Sequence, residues 1–307
     1  MKKIIFALAL SIMCSNQVFA MHSDVEINEK LALIGFGKIF AQDPQEQLTK
    51  LFENYVKCGN NHNLKKIKTF YDEKYVNADG FDYNTYFELV GQTWNLYPDM
   101  KYSSEIKSIM VNGNYATVHT KEAAVGNAKE TSTYLDDKGL LENTSEVVYY
   151  LKKYGNQWKI ISDSAISEKT FLKYGDAKNV SFDVVAPGMT AAGEEYSVLF
   201  AADIPKDKIL LGSITNEKIT YPNERQKEIF RRLKEDGMLE RVVRANNEGY
   251  NEQAVVSVGI TTTEVTENKE LKLDVTGVAF LMTRVNVVQP KKFNLRNLKD
   301  EVKENEI

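Results

Sequence analysis

The sequence has few histidines, and its positive charges do not cluster. Its three histidines, His22, His62 and His119, lack the spacing of zinc ligands, so we expect no metal site. The 39 Lys and Arg residues are interspersed with 43 Asp and Glu residues. A protein that binds nucleic acid through phosphate contacts needs a basic face. We therefore expect no nucleic-acid partner.

Catalytic and cofactor motifs are also missing. The sequence contains no phosphate-binding loop, no HExxH sequence and no nucleophile elbow. These motifs mark nucleotide sites, zinc proteases and serine hydrolases. We therefore expect no cofactor, and any enzymatic activity has to come from residues outside these motifs.

Long apolar runs are scarce. The first, Ile4–Met13, is shorter than the roughly 18 to 20 residues that a membrane span needs, and no later run reaches that length. We expect no membrane span. Lys2 and Lys3 precede this run and Val18-Phe19-Ala20 follows it, which is the order of a secretory signal peptide. The sequence thus predicts an exported protein, periplasmic or extracellular.

Cysteine is nearly absent as well. Cys14 leaves with the predicted signal peptide, so Cys58 remains alone and no internal disulfide can form. Cys58 is either a reactive thiol or a small core residue near the end of a helix, and the second interpretation is the more common one.

The first part of the chain predicts helices followed by antiparallel strands. Asp43 and Pro44 predict the start of a helix, and apolar residues at helical spacing continue it to Gly59. A second helix is predicted over Leu64–Tyr71, and a third between Asp82 and Pro98. Hairpins are predicted around Asn112-Gly113-Asn114 and Tyr154-Gly155-Asn156, because glycine and asparagine adopt the positive φ angles of tight turns.

Four segments carry a family resemblance. They are LTKLFENYVKCGN, IKTFYDEKYVNADG, IMVNGNYATVHT and YLKKYGNQWKIISDS. Over about residues 45–166 the chain resembles the nuclear transport factor 2-like superfamily, which includes ketosteroid-isomerase-like and polyketide-cyclase-like proteins. The resemblance implies a cone in which a curved antiparallel sheet wraps a long helix around a pocket. It implies a fold and not an activity, since these segments are core and turn signatures.

Candidate site residues follow from the predicted inner face of that cone. Alternation places Thr120 and Glu122 on the same face as Ala116 and Val118. Glu122 is a candidate general base if burial raises its pKa, with Tyr149 as a hydrogen-bond donor. Alternatively, Glu122 lies at a solvated strand end and Tyr149 only packs, as most carboxylates are exposed.

Other candidates would bind a ligand rather than react with it. The ligand-binding candidates are Tyr55, Trp94, Thr120 and Ser162. Trp94 could stack on a ligand, but aromatic residues at the end of an amphipathic helix more often belong to the core. His119 is expected on the opposite, outer face.

After Ile166 the pattern changes. We expect a short helix over Ser167–Tyr174, a boundary at Gly175–Lys178 and then short strands separated by turns, which is typical of an immunoglobulin-like β-sandwich. One inserted helix is predicted between Asn223 and Gly237, followed by a polar segment, Arg241–Asn251, that is either a ligand-binding loop or a solvated turn.

The predicted fold is therefore an α+β cone followed by a β-sandwich. The predicted division is a signal peptide at 1–20, a lead-in segment at 21–43, the cone at 44–176, the sandwich at 177–290 and a charged tail at 291–307. Two functions fit this organisation. One is a non-enzymatic binding or assembly protein of the cell envelope, which has a protein partner or self-associates. The other is a protein that binds a small apolar ligand in the cone, or an isomerase or cyclase acting there. The absence of a convergent acid–base set in the sequence favours the first.

The signal peptide generates a direct prediction. We expect the exported protein to begin near Met21, because the small residues that precede it form a cleavage site. Mass spectrometry of the exported protein measures this mass. An intact Met1, or a lipid on Cys14, would contradict the prediction.

Overall fold

The computed structural model describes residues 43–223, 226–265 and 271–289. The predicted signal peptide, almost all of the lead-in segment and the charged tail lie outside these described residues. Their predictions are therefore not addressed by the structure.

Three helices open the described chain. Their bounds are α1 Pro44–Asn60, α2 Leu64–Lys68 and α3 Tyr83–Leu96. Each begins at a polar side chain that accepts a backbone N–H: Asp43 from Gln45, Asn63 from Lys66, and Asp82 from Thr85. Such caps satisfy amides that have no partner inside the helix. The three predicted helices are confirmed, although α2 is shorter than expected.

Four long strands follow the helices. Their bounds are β1 Lys101–Asn112, β2 Tyr115–Ser132, β3 Asp137–Tyr154 and β4 Gln157–Gly175. The two predicted hairpins are confirmed, with φ of +57° at Gly113 and +60° at Gly155. Glycine adopts this left-handed region without the steric cost that a Cβ would bring.

Two predictions in this region were wrong. The polar residues of 126–143 predict an excursion from the sheet that leads into the second hairpin, but this stretch belongs mostly to β2 and β3. The expected helix Ser167–Tyr174 is the last part of β4, with Thr170 and Leu172 buried. Its residues pair with β3 on one side and with a late strand on the other. Pairing with distant segments thus overrides the local preference.

The remainder of the described chain is built of strands. Their bounds are β5 Phe182–Val185, β6 Met189–Ala191, β7 Glu195–Ala202, β8 Ile209–Lys218, β9 Arg231–Arg232, β10 Met238–Arg244, β11 Glu252–Val265 and β12 Leu271–Val288. A short 3₁₀ turn, Asp176–Asn179, precedes them.

The helix predicted between Asn223 and Gly237 was wrong. No helix is present in the described residues 226–237. Ile229 and Phe230, expected on its buried stripe, are 59% and 48% exposed. The backbone here bonds to β8 instead, because the Ile229 amide donates to Ser213 Oγ and the Leu233 amide to the Leu210 carbonyl.

One sheet, antiparallel except for the parallel pairing of β6 with β12, extends through both parts of the chain. Among the described residues it contains nine strands, in the order β1-β2-β3-β4-β12-β11-β8-β9, with β6 beside β12. Strand β4 pairs with β12 from Lys169–Thr283 to Gly175–Gly277. A second sheet has the order β10-β7-β5. The fold is thus a sheet-rich α+β arrangement with few helices.

The buried apolar residues form two clusters. The first takes residues from the three helices and from β1 to β4, and the second takes residues from β5, β7, β8 and β10 to β12. The second cluster lies between the three-stranded sheet and one face of the larger sheet. A division near Gly175 separates most of the two clusters, while the backbone pairing of β4 with β12 crosses it. The division into two independently folding domains stays a prediction.

The packing between the sheet and α1 can be tested at Trp158. Its side chain is 5% exposed, and its Nε1 donates to Gln47 Oε1 on α1 at 3.2 Å. The neighbouring Leu151 and Ile160 are also buried. We expect Trp158→Ala to lower the free energy of unfolding by about 3 to 5 kcal/mol, the range for truncating a large buried aromatic side chain.

The matched control is Tyr134→Ala, since Tyr134 is 92% exposed. We expect this change to stay within about 0.5 kcal/mol. Chemical denaturation monitored by circular dichroism measures both. Equal effects of the two substitutions would contradict the assigned packing.

Candidate functional site

Glu122 lies on the inner face of the cone and is enclosed. It is 3% exposed, and its Oε1 accepts hydrogen bonds from Thr120 Oγ1 at 2.7 Å and from the Tyr149 hydroxyl at 3.0 Å. Thr120 and Tyr149 are each 0% exposed. The alternating pattern of β2 therefore predicted the face correctly, whereas the alternative of a solvated strand end for Glu122 was wrong.

A group of buried tyrosines fills the space between the helices and the sheet. Tyr55 on α1 meets the Tyr71 hydroxyl at 2.5 Å, and Tyr71 meets the Tyr86 hydroxyl on α3 at 3.2 Å. The rings of Tyr55 and Tyr149 are 6.2 Å apart in an edge-on contact. Burial raises the pKa of each of these tyrosines well above its usual value, so all of them are neutral hydrogen-bond donors.

A β-bulge places Asp163 on the inner face instead of Ser162. Leu151 pairs with Ile160 and Tyr150 with Ser162, so Ile161 is an extra residue in β4. An extra residue inverts the alternation that follows it. Asp163 is consequently 4% exposed, and Tyr75 donates to its Oδ2 at 2.5 Å.

The expectation that Ser162 shares the inner face was therefore wrong. Ser162 is only half-buried and donates to the Val76 carbonyl. The two consecutive apolar residues Ile160 and Ile161 are the sequence signal that could have revealed the bulge, because strict alternation allows only one of them to face inward.

A row of polar residues crosses four strands of the inner face. Its members are cross-strand neighbours, one from each of β1 to β4: Ser104, Glu122, Ser145 and Glu168. We call these four residues the serine–carboxylate row. Glu168 is 5% exposed and accepts from Asn143 Nδ2 at 3.0 Å. Sequence reasoning missed Glu168 because it placed this residue in a helix.

An ion pair lies beside the row, where the two parts of the chain meet. Arg284 of β12 donates from Nη2 to Asp79 Oδ1 at 2.6 Å and from Nη1 to Asp79 Oδ2 at 3.0 Å. The side chains are 2% and 7% exposed, and Asn251 also donates to Asp79. A two-point guanidinium–carboxylate contact fixes orientation as well as distance. Asp79 comes from the loop before α3, so this pair ties the helical layer to β12.

Two carboxyls near this pair hold protons unusually strongly. Burial raises the pKa of Asp163 to about 7, against the hydrogen bond from Tyr75. Burial likewise raises the pKa of Glu168 to about 7, against the charge of Arg284. A carboxyl that titrates near neutrality can both accept and release a proton under physiological conditions. The charges of Glu122 and Asp163 both act on the buried Tyr55 and Tyr149, so the inner face combines acidic and hydroxyl groups, of which the sequence did not reveal Asp163.

The remaining candidates lie apart from these hydrogen bonds. Trp94 is 7% exposed, donates to the Tyr102 hydroxyl and stacks on His62. His119 lies on the outer face, 3.6 Å from Glu146, as expected. Cys58 is partly buried against the first cluster, which favours the packing interpretation.

The polar segment Arg241–Asn251 consists of the end of β10 and a structured turn that follows it. Asn246 accepts the amides of Glu248 and Tyr250 and donates to the buried Glu252. Tyr196 donates to the same carboxylate at 2.9 Å. These bonds stay within the fold, which favours the turn interpretation over a ligand-binding loop.

Metal-site arrangements and membrane-spanning helices are both absent from the described residues. No group of histidine, cysteine, aspartate and glutamate side chains among them has the arrangement of a metal site. No helix in the described ranges is long and apolar enough to cross a bilayer.

Known proteins resemble this chain only in part. No protein-family model matches the sequence, and the comparison with curated proteins gives no match. Similar solved structures include Bd1075 of Bdellovibrio bacteriovorus, at 18% identity and a TM-score of 0.33, with 39% of each chain covered. The chain thus spans about two fifths of the length of that protein.

Two smaller proteins are matched over most of their own length. An NTF2-like superfamily protein of Salmonella enterica is 13% identical with a TM-score of 0.32, covering 39% of this chain and 88% of that one. Hexachlorocyclohexane dehydrochlorinase LinA-type3 of Novosphingobium barchaimii is 9% identical with a TM-score of 0.32, covering 39% and 84%.

The raised pKa values of Asp163 and Glu168 predict how stability depends on pH. Both carboxyls stay protonated in the folded chain at pH values where the unfolded chain releases their protons. Their contribution is fully present below about pH 4 and is lost as pH rises towards 7. We expect each to lower the free energy of unfolding by up to about 1.4 kcal/mol per pH unit over that interval.

Asp163→Asn should remove the part of this pH dependence of stability that Asp163 contributes. The asparagine carbonyl oxygen can still accept the hydrogen bond from the Tyr75 hydroxyl. Asp203→Asn is the control, since Asp203 is exposed. Denaturation from pH 4 to 8 measures the three curves. If wild type and Asp163→Asn run parallel, Asp163 is not protonated in the folded protein at neutral pH.

Proposed function

We propose that this protein binds a small molecule on the inner face of its cone and has the groups to move a proton there. The observation that carries this proposal is the enclosed Glu122 carboxylate, bonded by Thr120 and Tyr149. Burying a carboxylate is costly unless its charge is compensated. Enzymes and ligand-binding proteins place a few polar groups in an otherwise apolar pocket to orient a ligand. The Glu122 carboxylate among neutral tyrosines resembles that arrangement.

The chemistry that this site supports is acid–base chemistry. Asp163, with a pKa of about 7, is a donor or acceptor at neutral pH, and the charges of Glu122 and Asp163 both act on Tyr55 and Tyr149. Isomerisation and elimination need a base to remove a proton and a donor to stabilise the developing negative charge. The tyrosine hydroxyls are the donors in this arrangement.

The location and the second part of the chain belong to the same proposal. The order of charged, apolar and small residues in 1–20 supports export to the periplasm or beyond. The two sheets that share the second apolar cluster support an immunoglobulin-like β-sandwich for 177–290. In this proposal the sandwich holds β12 in place beside the cone.

A second candidate function is binding to a protein partner or to another copy of the chain. Its support is an apolar area on the outer face of the cone, where Met110 is 67% exposed and Tyr115 is 53% exposed. Tyr150 and Ile161 line the same shallow cavity of about 370 Å³. This candidate leaves the buried carboxylates without a role, so we place it second.

The proposal predicts that Glu122→Gln raises stability. The neutral amide removes the cost of a buried charge, and residues that serve binding are often not the most stable choice. We expect a gain of about 0.5 to 2 kcal/mol in the free energy of unfolding. Glu53→Gln on the exposed face of α1 is the control and should have little effect.

Binding is measured in the same two variants with neutral probes. Benzyl alcohol and cyclohexanone are small enough for a single-ring site, and ligand-observed NMR detects weak binding. We expect binding to wild type and to Glu53→Gln and weaker binding of the alcohol to Glu122→Gln. A loss of stability in Glu122→Gln, together with no binding of either probe, would show that these residues are structural.

A further inference from the structure

Buried polar atoms without a partner gather on the inner face of the cone. Ser104 Oγ, Ser145 Oγ and Asn143 Oδ1 are buried atoms that find no hydrogen-bond partner within the described residues. Ser145 and Asn143 are 3% and 2% exposed. A buried polar atom left unsatisfied is uncommon in folded proteins and calls for an explanation.

The strand register brings these atoms together. Ser145 is the direct cross-strand neighbour of Glu122 on β2 and of Glu168 on β4, and Ser104 is the neighbour of Glu122 on β1. Adjacent strands are about 4.8 Å apart, so Glu122 and Glu168 are separated by roughly 10 Å across Ser145. Asn143 lies two residues along β3 from Ser145 and therefore on the same face. Ser145 thus occupies the position between Glu122 and Glu168 on this face of the sheet.

The charge at this place is unbalanced. Four carboxyl groups lie here with a single guanidinium group, that of Arg284. The carboxyl groups belong to Glu122, Asp163, Glu168 and Asp79. When every carboxyl is ionised, these groups carry three net negative charges. Arg284 directs both Nη atoms to Asp79 and its Nε to Asn286. The hydrogen bonds of Arg284 therefore go to Asp79 and Asn286 and not to a member of the serine–carboxylate row.

We propose that the serine–carboxylate row binds a cationic ligand, an organic primary ammonium attached to an apolar or aromatic group. This inference rests on the proposed function and specifies its ligand class. An ammonium has three N–H donors and no acceptor. It matches a place that offers carboxylate oxygens, the Asn143 carbonyl oxygen and serine hydroxyls.

The aromatic side chains near the row indicate which chemical group carries the ammonium. Phe52 and Tyr149 lie edge-on with ring centroids 5.0 Å apart, and Tyr55 lies 6.2 Å from Tyr149. Aromatic rings favour a cation or a second ring at such distances. An aromatic amine therefore matches both the polar row and the rings.

The test compares three probes of nearly equal shape. Benzylamine is cationic at neutral pH, benzyl alcohol is neutral and benzoate is anionic. Titration calorimetry on the full chain measures their affinities. We expect benzylamine to bind about 10- to 100-fold more tightly than benzyl alcohol, the factor that a hydrogen bond to a charged group contributes, and benzoate to bind most weakly.

Two variants locate the effect. Glu168→Gln should reduce the advantage of benzylamine over benzyl alcohol, because it removes a charge and keeps the shape. Ser145→Ala should weaken benzylamine by about 2- to 10-fold through one lost hydrogen bond. Ser164→Ala, on the opposite face of β4, is the matched control and should change nothing. Thermal unfolding confirms that each variant is folded.

The outcomes separate this inference from the proposed function. Equal binding of benzylamine and benzyl alcohol overturns the cationic class and leaves a small-molecule site in place. An advantage of benzylamine that survives both Glu168→Gln and Ser145→Ala overturns the assignment to the row. Absence of binding by all three probes overturns the inference, and the stability of Glu122→Gln then decides whether the proposed function falls with it.

Discussion

Strand β4 is the element on which both parts of the structure depend, because its backbone bonds on two sides. Its 19 residues pair with β3 along most of their length, and 169–175 also pair with β12. This double pairing continues the sheet of the cone into the sheet of the second part. The inner face consequently extends from the serine–carboxylate row to Arg284 and Gln253, which are buried neighbours on β12 and β11.

The two register shifts of β4 determine which residues reach the interior. The first, at Ile161, turns Asp163 inward, and the second, near Ile166, does the same for Glu168. Bulges often occur beside functional sites, where they redirect side chains. Without the first shift the inner face of β4 would carry Ser162 and Ser164, and Asp163 would not be buried. The second shift restores the alternation of Ile160, so that Glu168 lies inward after Asp163 and Ala165. The acid–base character of the interior is therefore a consequence of strand geometry.

The sequence predicted the parts of the fold that depend on local chemistry. Helix caps, glycine turns and the alternation of β2 all result from neighbouring residues, and the face of Glu122 followed correctly from them. The helices expected at Ser167–Tyr174 and between Asn223 and Gly237 failed, since those segments bond to strands far away in the chain. Asp163 and Glu168 were missed for the same reason. A bulge depends on how two strands pair. The sequence of one strand shows only a break in the alternation of apolar and polar residues.

The fold itself does not require a polar inner face. Val118, Val147 and Ala165 occupy neighbouring inward positions on the same strands and are buried without any charge. Apolar side chains in the row would close the core equally well, and replacing buried charged groups by apolar ones is often neutral or stabilising. The Asp79–Arg284 pair has a structural task, because it ties two layers together. Glu122, Ser145 and Glu168 have no such task in the described structure, and this difference is the physical reason for assigning the row to a ligand.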